Sequence, residues 1–142
     1  MNKNGEKVIG YTTGVYDLFH IGHLNILRRA REQCDYLIVG VSTDKLVKEY
    51  KNKKPIIPFS ERMQIVGAIK YVDKVVPQET LDKIEAWEKY KFDVMFHGSD
   101  WKGSQLYKDI VKKLDKVGVQ SVYLPYTTGT SSTMLAEKLQ NM

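Results

Sequence analysis

Five short apolar segments, separated by segments of helical periodicity, constrain the fold of this chain more than any other feature. They are Val8–Thr13, Tyr36–Val41, Tyr71–Pro77, Phe92–His97 and Val119–Pro125. Strands that alternate with amphipathic helices favour a parallel sheet covered by helices on both faces. The pattern therefore predicts an α/β fold, doubly wound, with a mostly parallel five-stranded sheet.

Length and composition are those of one globular domain. The 142 residues are 42% hydrophobic and 27% charged, and a chain of this size buries roughly two-thirds of its unfolded surface. We expect a single Rossmann-like domain over residues 1–142. Cys34 is the single cysteine, so it predicts a core-facing thiol in a cytoplasmic protein rather than a disulfide. The longest apolar run, near Tyr36–Val41, is too short to enter a membrane as a span.

The segments between the strands predict helices and one long loop. Ile21, Leu24, Leu27 and Ala30 place one apolar stripe on a helix after the first strand. Further helices are predicted after a cap at Ser42–Asp44 and over residues 60–70, 81–90, 106–117 and 134–139, with Gly118 closing the helix over 106–117. Two prolines and a run of charges predict an exposed basic loop over residues 48–58.

The turn after the first strand carries the strongest chemical signal. Gly14 ends the strand, and His20 and His23 begin the following helix three residues apart, on one face. Backbone N–H groups at a helix start attract anions, above all phosphate. Gly22 would let a ligand approach the backbone closely.

Two other unusual stretches follow later strands. Residues 98–102 come after the fourth strand of the predicted sheet, and residues 126–133, with four consecutive hydroxyl residues at 130–133, come after the last. Carboxyl ends of parallel strands meet at one edge of a sheet, where ligands bind. The sequence therefore predicts one site built from all three stretches.

Zinc is the alternative use of two histidines one turn apart. A zinc site needs three or four ligands, and Asp17 or His97 would complete one only by coincidence of folding. No zinc site is predicted, and the chain has neither of the glycine-rich signatures of dinucleotide and P-loop sites.

The net charge of +5 favours an anionic partner. The lysines are dispersed apart from those at 48–54, and no arginine-rich stripe or aromatic platform is present, so nucleic acid is not expected as the partner. Phosphate oxygens are the predicted ligands of Lys51, Lys53, Arg62 and Lys70. Trp101 is a candidate cover for a nucleotide base.

Gly14 to His23 resembles the signature of the cytidylyltransferase family, Gly-x-Phe/Tyr-Asp-Leu-x-His-x-Gly-His, at every defined position. The resemblance continues to a late hydroxyl-rich stretch. It implies in-line attack by an alcohol phosphate, foremost sn-glycerol 3-phosphate, on the α-phosphorus of CTP, with Mg²⁺ assisting. Class I aminoacyl-tRNA synthetases share the His-x-Gly-His turn, but they are much longer and add a Lys-Met-Ser-Lys-Ser-type loop, which this chain lacks.

The resemblance also implies roles for individual residues. His20 and His23 would stabilise the transition state at the α-phosphate, and the basic residues Lys51, Arg62 and Lys70 would neutralise phosphate charge. The implied nucleotide-binding residues are Thr13, Gly14, Val15, Asp17, Gly22, His23, Asp100, Thr127, Gly129, Ser131 and Ser132. The implied acceptor-binding residues are Lys53, Lys70, Asp73 and Trp101.

Three departures from the family pattern leave the acceptor open. Tyr126 stands where the family has arginine, Val15 where the glycerol-phosphate enzymes have threonine, and Lys70 where they have arginine. Choline or ethanolamine phosphate, adenylyl transfer to a heptose phosphate, and a non-catalytic nucleotide-binding module are the alternatives. A homodimer is implied by the resemblance alone.

Overall fold

A five-stranded parallel sheet with helices on both faces forms the fold of this computed structural model, which describes residues 5–98, 104–125 and 131–141. The strands follow the order β3-β2-β1-β4-β5. The elements are β1 (Ile9–Gly14), α1 (Ile21–Glu32), β2 (Tyr36–Ser42), α2 (Asp44–Lys51), α3 (Phe59–Gly67), β3 (Lys74–Gln78), α4 (Lys83–Tyr90), β4 (Val94–Gly98), α5 (Gln105–Lys116), β5 (Gln120–Leu124) and α6 (Ser132–Gln140).

The strand order reverses between β1 and β4. The chain runs outward from β1 through β2 to β3, then returns to add β4 and β5 on the other side of β1. All four strand pairings are parallel. The predicted α/β class and parallel sheet are confirmed, and the reversal is the crevice where such sheets bind ligands.

Two apolar cores cover the two faces of the sheet. One packs Val39 against Leu27 and Ala30 of α1 and Val66 of α3. The other packs strand residues on the opposite face against α4 and α5, with Tyr11 stacked on Phe92 at 4.7 Å between ring centroids. Cys34 is buried as predicted. In the described ranges, no helix has the length and apolar character needed to cross a bilayer.

The predicted loop over residues 48–58 is wrong in its first four residues, which belong to α2. Thr43 caps this helix by accepting the Leu46 N–H, and Val47 anchors it in the core. Asn52 caps the end of the helix: its φ of 52° is left-handed, and its N–H bonds to the Lys48 carbonyl. The charged run therefore lies on a solvated helix end, and the loop covers residues 52–58 alone.

The third strand begins at Lys74, three residues later than predicted, because residues 69–73 turn before they enter the sheet. The Val72 N–H bonds back to the Ile69 carbonyl. Lys70 was predicted at the end of a helix, but α3 ends at Gly67 and Lys70 lies in this turn. The remaining elements differ from prediction by one or two residues, the usual uncertainty at helix and strand ends.

Gly118 follows the cap of α5 as predicted. Its φ is +84°, its N–H bonds to the Asp115 carbonyl, and the Val119 N–H bonds to the Leu114 carbonyl. These two bonds form a Schellman motif, which satisfies carbonyls at a helix end. The motif turns the chain directly into β5.

Candidate active site

The turn between β1 and α1 is backbone-strained. Tyr16 and Leu18 have φ values of 56° and 50°, in the left-handed region that only glycine enters freely. A Cβ at Gly14 would lie 3.0 Å from the Tyr16 ring, so this ring packs directly on the glycine. Strain of this kind costs about 1–3 kcal/mol per residue and clusters at functional sites. Here it presents the two histidines at the carboxyl end of β1.

His20 and His23 cap the helix that they begin. The Nδ1 atom of His20 accepts the Gly22 N–H at 3.0 Å, and Nδ1 of His23 accepts the His20 N–H at 3.2 Å. The two rings stack with centroids 4.0 Å apart. Two backbone donors that the sequence suggested for an anion are thus occupied by the histidines, and the Gly22 N–H is one of them.

These bonds determine where the imidazole protons lie. A ring nitrogen that accepts a hydrogen bond carries no proton, so each neutral imidazole carries its proton on Nε2. Both rings therefore present Nε2–H donors away from the helix start. Stacked neutral donors of this kind can bind the oxygens of one phosphate.

Burial keeps both rings uncharged at neutral pH. It lowers the pKa of His23 to about 3, with the neighbouring His20 lowering it further and Asp17 partly opposing the shift. Burial also lowers the pKa of His20. The site therefore offers hydrogen bonds to a phosphate without adding fixed positive charge at these rings.

Ser132 joins the last helix to this turn. Its hydroxyl donates to the Asp17 carbonyl at 2.5 Å and lies 3.4 Å from Nε2 of His23. Since the hydroxyl proton is used on Asp17, the oxygen is free to accept the His23 Nε2–H. Ser131 caps α6 by accepting the Met134 N–H. The start of α6 thus adjoins the histidine pair, as expected if the two stretches contribute to one site at the same edge of the sheet.

The Asp17 carboxylate holds the basic loop. Its two oxygens accept the N–H groups of Ile56 and Ile57 at 2.8 and 2.9 Å. Those contacts connect the strained turn to residues 52–58, where Lys53 is exposed. Asp17 therefore links two parts of the site by backbone contacts.

Arg62 is buried beneath the site, with 1% of its surface exposed. It donates at 2.6–2.8 Å to the carbonyls of Ile57, Val15 and Ser42 and to the Asp44 carboxylate. These bonds join the turn, the end of β2 and the basic loop. The structure therefore gives Arg62 protein partners, whereas the sequence suggested a phosphate ligand.

Lys83 is a buried cation that sequence reasoning missed. It is 4% exposed, its Nζ donates to Thr13 Oγ1 at 2.9 Å, and burial lowers its pKa to about 8. It also lines a cavity of about 60 Å³ between the end of β3 and α4. The only signal in the sequence was a lysine at a helix start just after a strand, which is too common to single out.

The described residues do not bring every predicted side chain to this edge. Lys51 ends α2 near the site, with its Nζ 5.5 Å from the Tyr50 ring centroid. Asp73 lies at the opposite edge, where its carboxylate accepts the Leu37 N–H and pairs with Arg31 at 2.9 Å. Lys70 contacts the Tyr71 ring at that same edge. These positions do not support acceptor binding by Asp73 and Lys70 within one chain.

Comparison with known proteins identifies the family. Residues 11–138 match a family model described as cytidylyltransferase-like. The chain belongs to the cytidylyltransferase-like family. The match covers the strained turn, the basic loop and the start of α6, so the whole candidate site lies within the family domain.

Two bacterial relatives match this cytidylyltransferase-like chain over nearly its full length. It is 41% identical to the glycerol-3-phosphate cytidylyltransferase of Staphylococcus aureus (strain NCTC 8325 / PS 47), over 94% of this chain and 95% of that protein. It is 36% identical to the enzyme of the same name from Bacillus subtilis (strain 168), over 96% and 99%. The lipopolysaccharide core biosynthesis protein from Thermoplasma volcanium GSS1 has the same fold, with a TM-score of 0.73 at 23% identity, over 88% of this chain and 100% of that one.

Part of the predicted site of this cytidylyltransferase-like chain lies outside the described residues: Asp100, Trp101, Tyr126, Thr127 and Gly129. Within the described residues, no three His, Cys, Asp or Glu side chains form a group that could hold a metal ion.

Proposed function

We propose that this protein is a cytidylyltransferase that joins CTP to sn-glycerol 3-phosphate, releasing CDP-glycerol and pyrophosphate. The observation that carries the proposal is the stacked pair of neutral histidines, whose Nε2–H donors adjoin the hydroxyls at the start of α6. The names of its two bacterial relatives support the choice of substrates.

The reaction is one in-line substitution at phosphorus. A phosphate oxygen of glycerol 3-phosphate attacks the α-phosphorus of CTP and forms the new P–O bond. The bond from the α-phosphorus to the bridging oxygen breaks, and pyrophosphate leaves with its electron pair. Since little covalent chemistry is asked of the protein, positioning and charge stabilisation carry the rate. His20 donates its Nε2–H to the α-phosphate oxygens as negative charge grows there, and His23 does the same by exchanging its 3.4 Å contact with Ser132 for the phosphate.

The leaving pyrophosphate belongs at the start of α6. The N–H groups and the positive dipole end of a helix suit phosphate oxygens, and Ser131 and Ser132 add hydroxyls beside His23. Mg²⁺ arrives with CTP and neutralises the triphosphate charge. Thr127 and Gly129 are proposed to extend this phosphate site, and Asp100 to contact the nucleotide.

The acceptor phosphate belongs on the Lys83 side. In-line attack requires nucleophile and leaving group on opposite sides of the α-phosphorus, and Lys83 reaches Thr13 from α4, on the sheet face opposite α1 and α3. Lys51 at the end of α2 and Lys53 in the loop that follows it supply further charge. Gly14 and Val15 contribute backbone, and Arg62 holds the Val15 carbonyl in place.

The test is a substrate panel with product mass measured. Purified protein with Mg²⁺ is given each of CTP, ATP, GTP and UTP with glycerol 3-phosphate, ethanolamine phosphate, choline phosphate or a heptose phosphate. We expect CDP-glycerol as the main product. If no combination releases pyrophosphate, the proposed enzymatic activity is refuted. If ATP and a heptose phosphate are the preferred pair, the reaction type stands but the substrates differ from those proposed.

The histidine pair is tested by His23→Ala. Its hydrogen bond should strengthen in the transition state, so we expect kcat to fall by about a hundredfold or more while KM for CTP changes little. Arg28→Ala, on the exposed side of the same helix, is the matched control. Equal turnover of His23→Ala and the parent protein would remove His23 from catalysis.

We also propose that residues 1–142 form one nucleotidyltransferase domain that acts in the cytoplasm as a homodimer. The family membership supports this assembly. Light scattering after size-exclusion chromatography should give twice the chain mass of 16.4 kDa. A mass of one chain at all working concentrations would rule the dimer out.

A further inference from the structure

His97 has a polar atom that the fold leaves unpaired. It lies in β4, where that strand approaches the carboxyl edge of the sheet, and is 3% exposed. Its Nε2 lies 3.2 Å from Ser121 Oγ. Its Nδ1 is fully buried and has no hydrogen-bond partner among the residues that the structure describes. Because leaving a buried polar atom unpaired costs about 1–3 kcal/mol, such an atom points to a ligand.

The surroundings hold this ring in one orientation. Tyr123 stacks on it and Tyr107 meets it edge-on, each with centroids 5.1 Å away. Ser121 anchors the Nε2 side. The ring faces and the Nε2 atom are therefore in contact with β5 and α5, and Nδ1 is the ring atom at which a new partner can bind.

The cation of the acceptor site is a neighbour of His97. Burial lowers the pKa of His97 to about 4, and the charge of Lys83 contributes a smaller lowering. β1 and β4 pair in parallel with Tyr11 opposite Met95, and Thr13 and His97 each lie two residues further along, on the same face as those two residues. Thr13 and Lys83 are already in contact. The three side chains therefore share one face of the sheet at the strand-order reversal.

We propose that His97 is a specificity-determining residue whose Nδ1 hydrogen-bonds to a hydroxyl of the acceptor. The inference rests on the proposed function and deepens it. Lys83 binds the acceptor phosphate, and His97 recognises the polyol chain attached to that phosphate. A neutral imidazole suits a hydroxyl because its two nitrogens have opposite roles. If the Ser121 hydroxyl donates to Nε2, Nδ1 carries the proton and donates; if the hydroxyl accepts from Nε2, Nδ1 accepts.

This arrangement selects against acceptors without a hydroxyl. An acceptor such as propyl phosphate would bury Nδ1 without a partner, and a site that must pair a buried polar group rejects an analogue lacking the matching group. A cationic acceptor such as ethanolamine phosphate would also place its ammonium beside Lys83. His97 thus favours a polyol phosphate over both.

Two variants separate the two ring nitrogens. His97→Asn keeps a polar atom near the Nδ1 position but does not reach Ser121, whereas His97→Gln reaches toward Ser121 but lacks the Nδ1 atom. We expect His97→Gln to lose about tenfold or more of the preference for glycerol 3-phosphate over propyl phosphate in kcat/KM, and His97→Asn to keep most of it. KM for CTP should stay unchanged in both, and urea unfolding of each checks that it folds.

Results of the opposite pattern overturn the inference. If His97→Asn loses the preference and His97→Gln keeps it, the residue acts structurally through Ser121. If both acceptors weaken equally, His97 does not recognise the hydroxyl.

Direct binding keeps this test separate from turnover. The chain has three histidines, so ¹⁵N-histidine labelling resolves their ring nitrogens. Glycerol 3-phosphate alone should shift the His97 Nδ1 resonance, and propyl phosphate should shift it much less. Equal or absent shifts would overturn the inference. If no triphosphate in the panel reacts, the proposed function fails while this titration still decides what His97 binds.

Discussion

Burial keeps His97 neutral in the folded chain, and this has a measurable effect on stability. The lowered pKa means that the unfolded chain binds more protons than the native one between the native pKa, about 4, and the ordinary value of 6.5. Stability is therefore complete above 6.5 and is lost as the pH falls toward 4. His97 should account for about 2 kcal/mol of lost unfolding free energy between about pH 7 and about pH 5.

Urea unfolding at the two pH values checks this share of the pH dependence. His97→Gln should show a shallower loss than the parent protein because glutamine does not titrate. Parallel losses in the two proteins would mean that His97 does not carry a shifted pKa. His23 has a lowered pKa as well, so part of the pH dependence should remain in the variant.

Arg62 is expected to matter for stability through its geometry more than its charge. Arg62→Lys keeps the charge but cannot reach three carbonyls and the Asp44 carboxylate from one ammonium. Unpaired buried groups should lower the unfolding free energy by about 3 kcal/mol. Denaturant unfolding measures this loss. Arg28→Lys is the control, because Arg28 makes an exposed pair with Glu32, and it should change stability by less than about 0.5 kcal/mol.

Residues were predictable from sequence where chemistry and local spacing coincide. His20 and His23 lie three apart beside a turn, so their common face followed from helix geometry. Lys83 and His97 come from separate elements and meet only in the folded sheet, so nothing local marks either of them. Arg62 was identified from the sequence as a site residue, but its role was not predictable, because its four protein partners come from distant segments.

At the scale of elements, the basic loop depends on one carboxylate. Asp17→Asn puts an amide NH₂ where an oxygen now accepts a backbone N–H, so at least one of the bonds to Ile56 and Ile57 is lost. We expect faster hydrogen exchange at these two amides, by about tenfold, with a higher KM for both substrates.

Asp93→Asn provides the matched control for the loop. Asp93 accepts the Ile9 N–H at 2.9 Å, a contact of the same kind at the opposite end of the sheet. This variant should leave exchange at Ile56 and Ile57 unchanged. If Asp17→Asn also leaves it unchanged, the carboxylate does not hold the loop.

Helices and strands were predicted well where an apolar stripe reaches the core. They were predicted poorly where local hydrogen bonds determine the residue at which the element begins or ends. α2 was cut short in the prediction because its last turn is charged, whereas the cap at Thr43 and the left-handed Asn52 define its ends. The start of β3 was placed too early because Tyr71 and Val72 are apolar, although the chain is still turning there. Both errors concern hydrogen bonds that hydropathy does not report.

For the whole molecule, metal dependence should separate catalysis from folding. In the proposed reaction Mg²⁺ acts with the CTP substrate, so EDTA should abolish turnover while the melting temperature shifts by less than about 1 °C. Thermal unfolding with and without EDTA, beside a pyrophosphate assay, checks both. A clear drop in melting temperature would reveal a resident metal.

The overall architecture was the most predictable level. Strands separated by helices allow few topologies once crossovers are right-handed and connections are short. No local signal in the sequence predicted the strand order, since that order depends on the side of β1 on which β4 is added. That arrangement places Thr13 and His97 on adjacent strands and so decides which residues form the proposed acceptor side.

The left-handed residues in the first turn set a limit for engineering this enzyme. Leu18→Gly would relieve backbone strain at φ 50°, and it raises the melting temperature if this relief exceeds the conformational entropy that glycine adds to the unfolded chain. The same change would loosen the segment that orients both imidazoles. Selection of variants by heat resistance alone would therefore favour proteins that survive longer and turn over more slowly, so thermal selection of this chain needs a parallel selection for product formation.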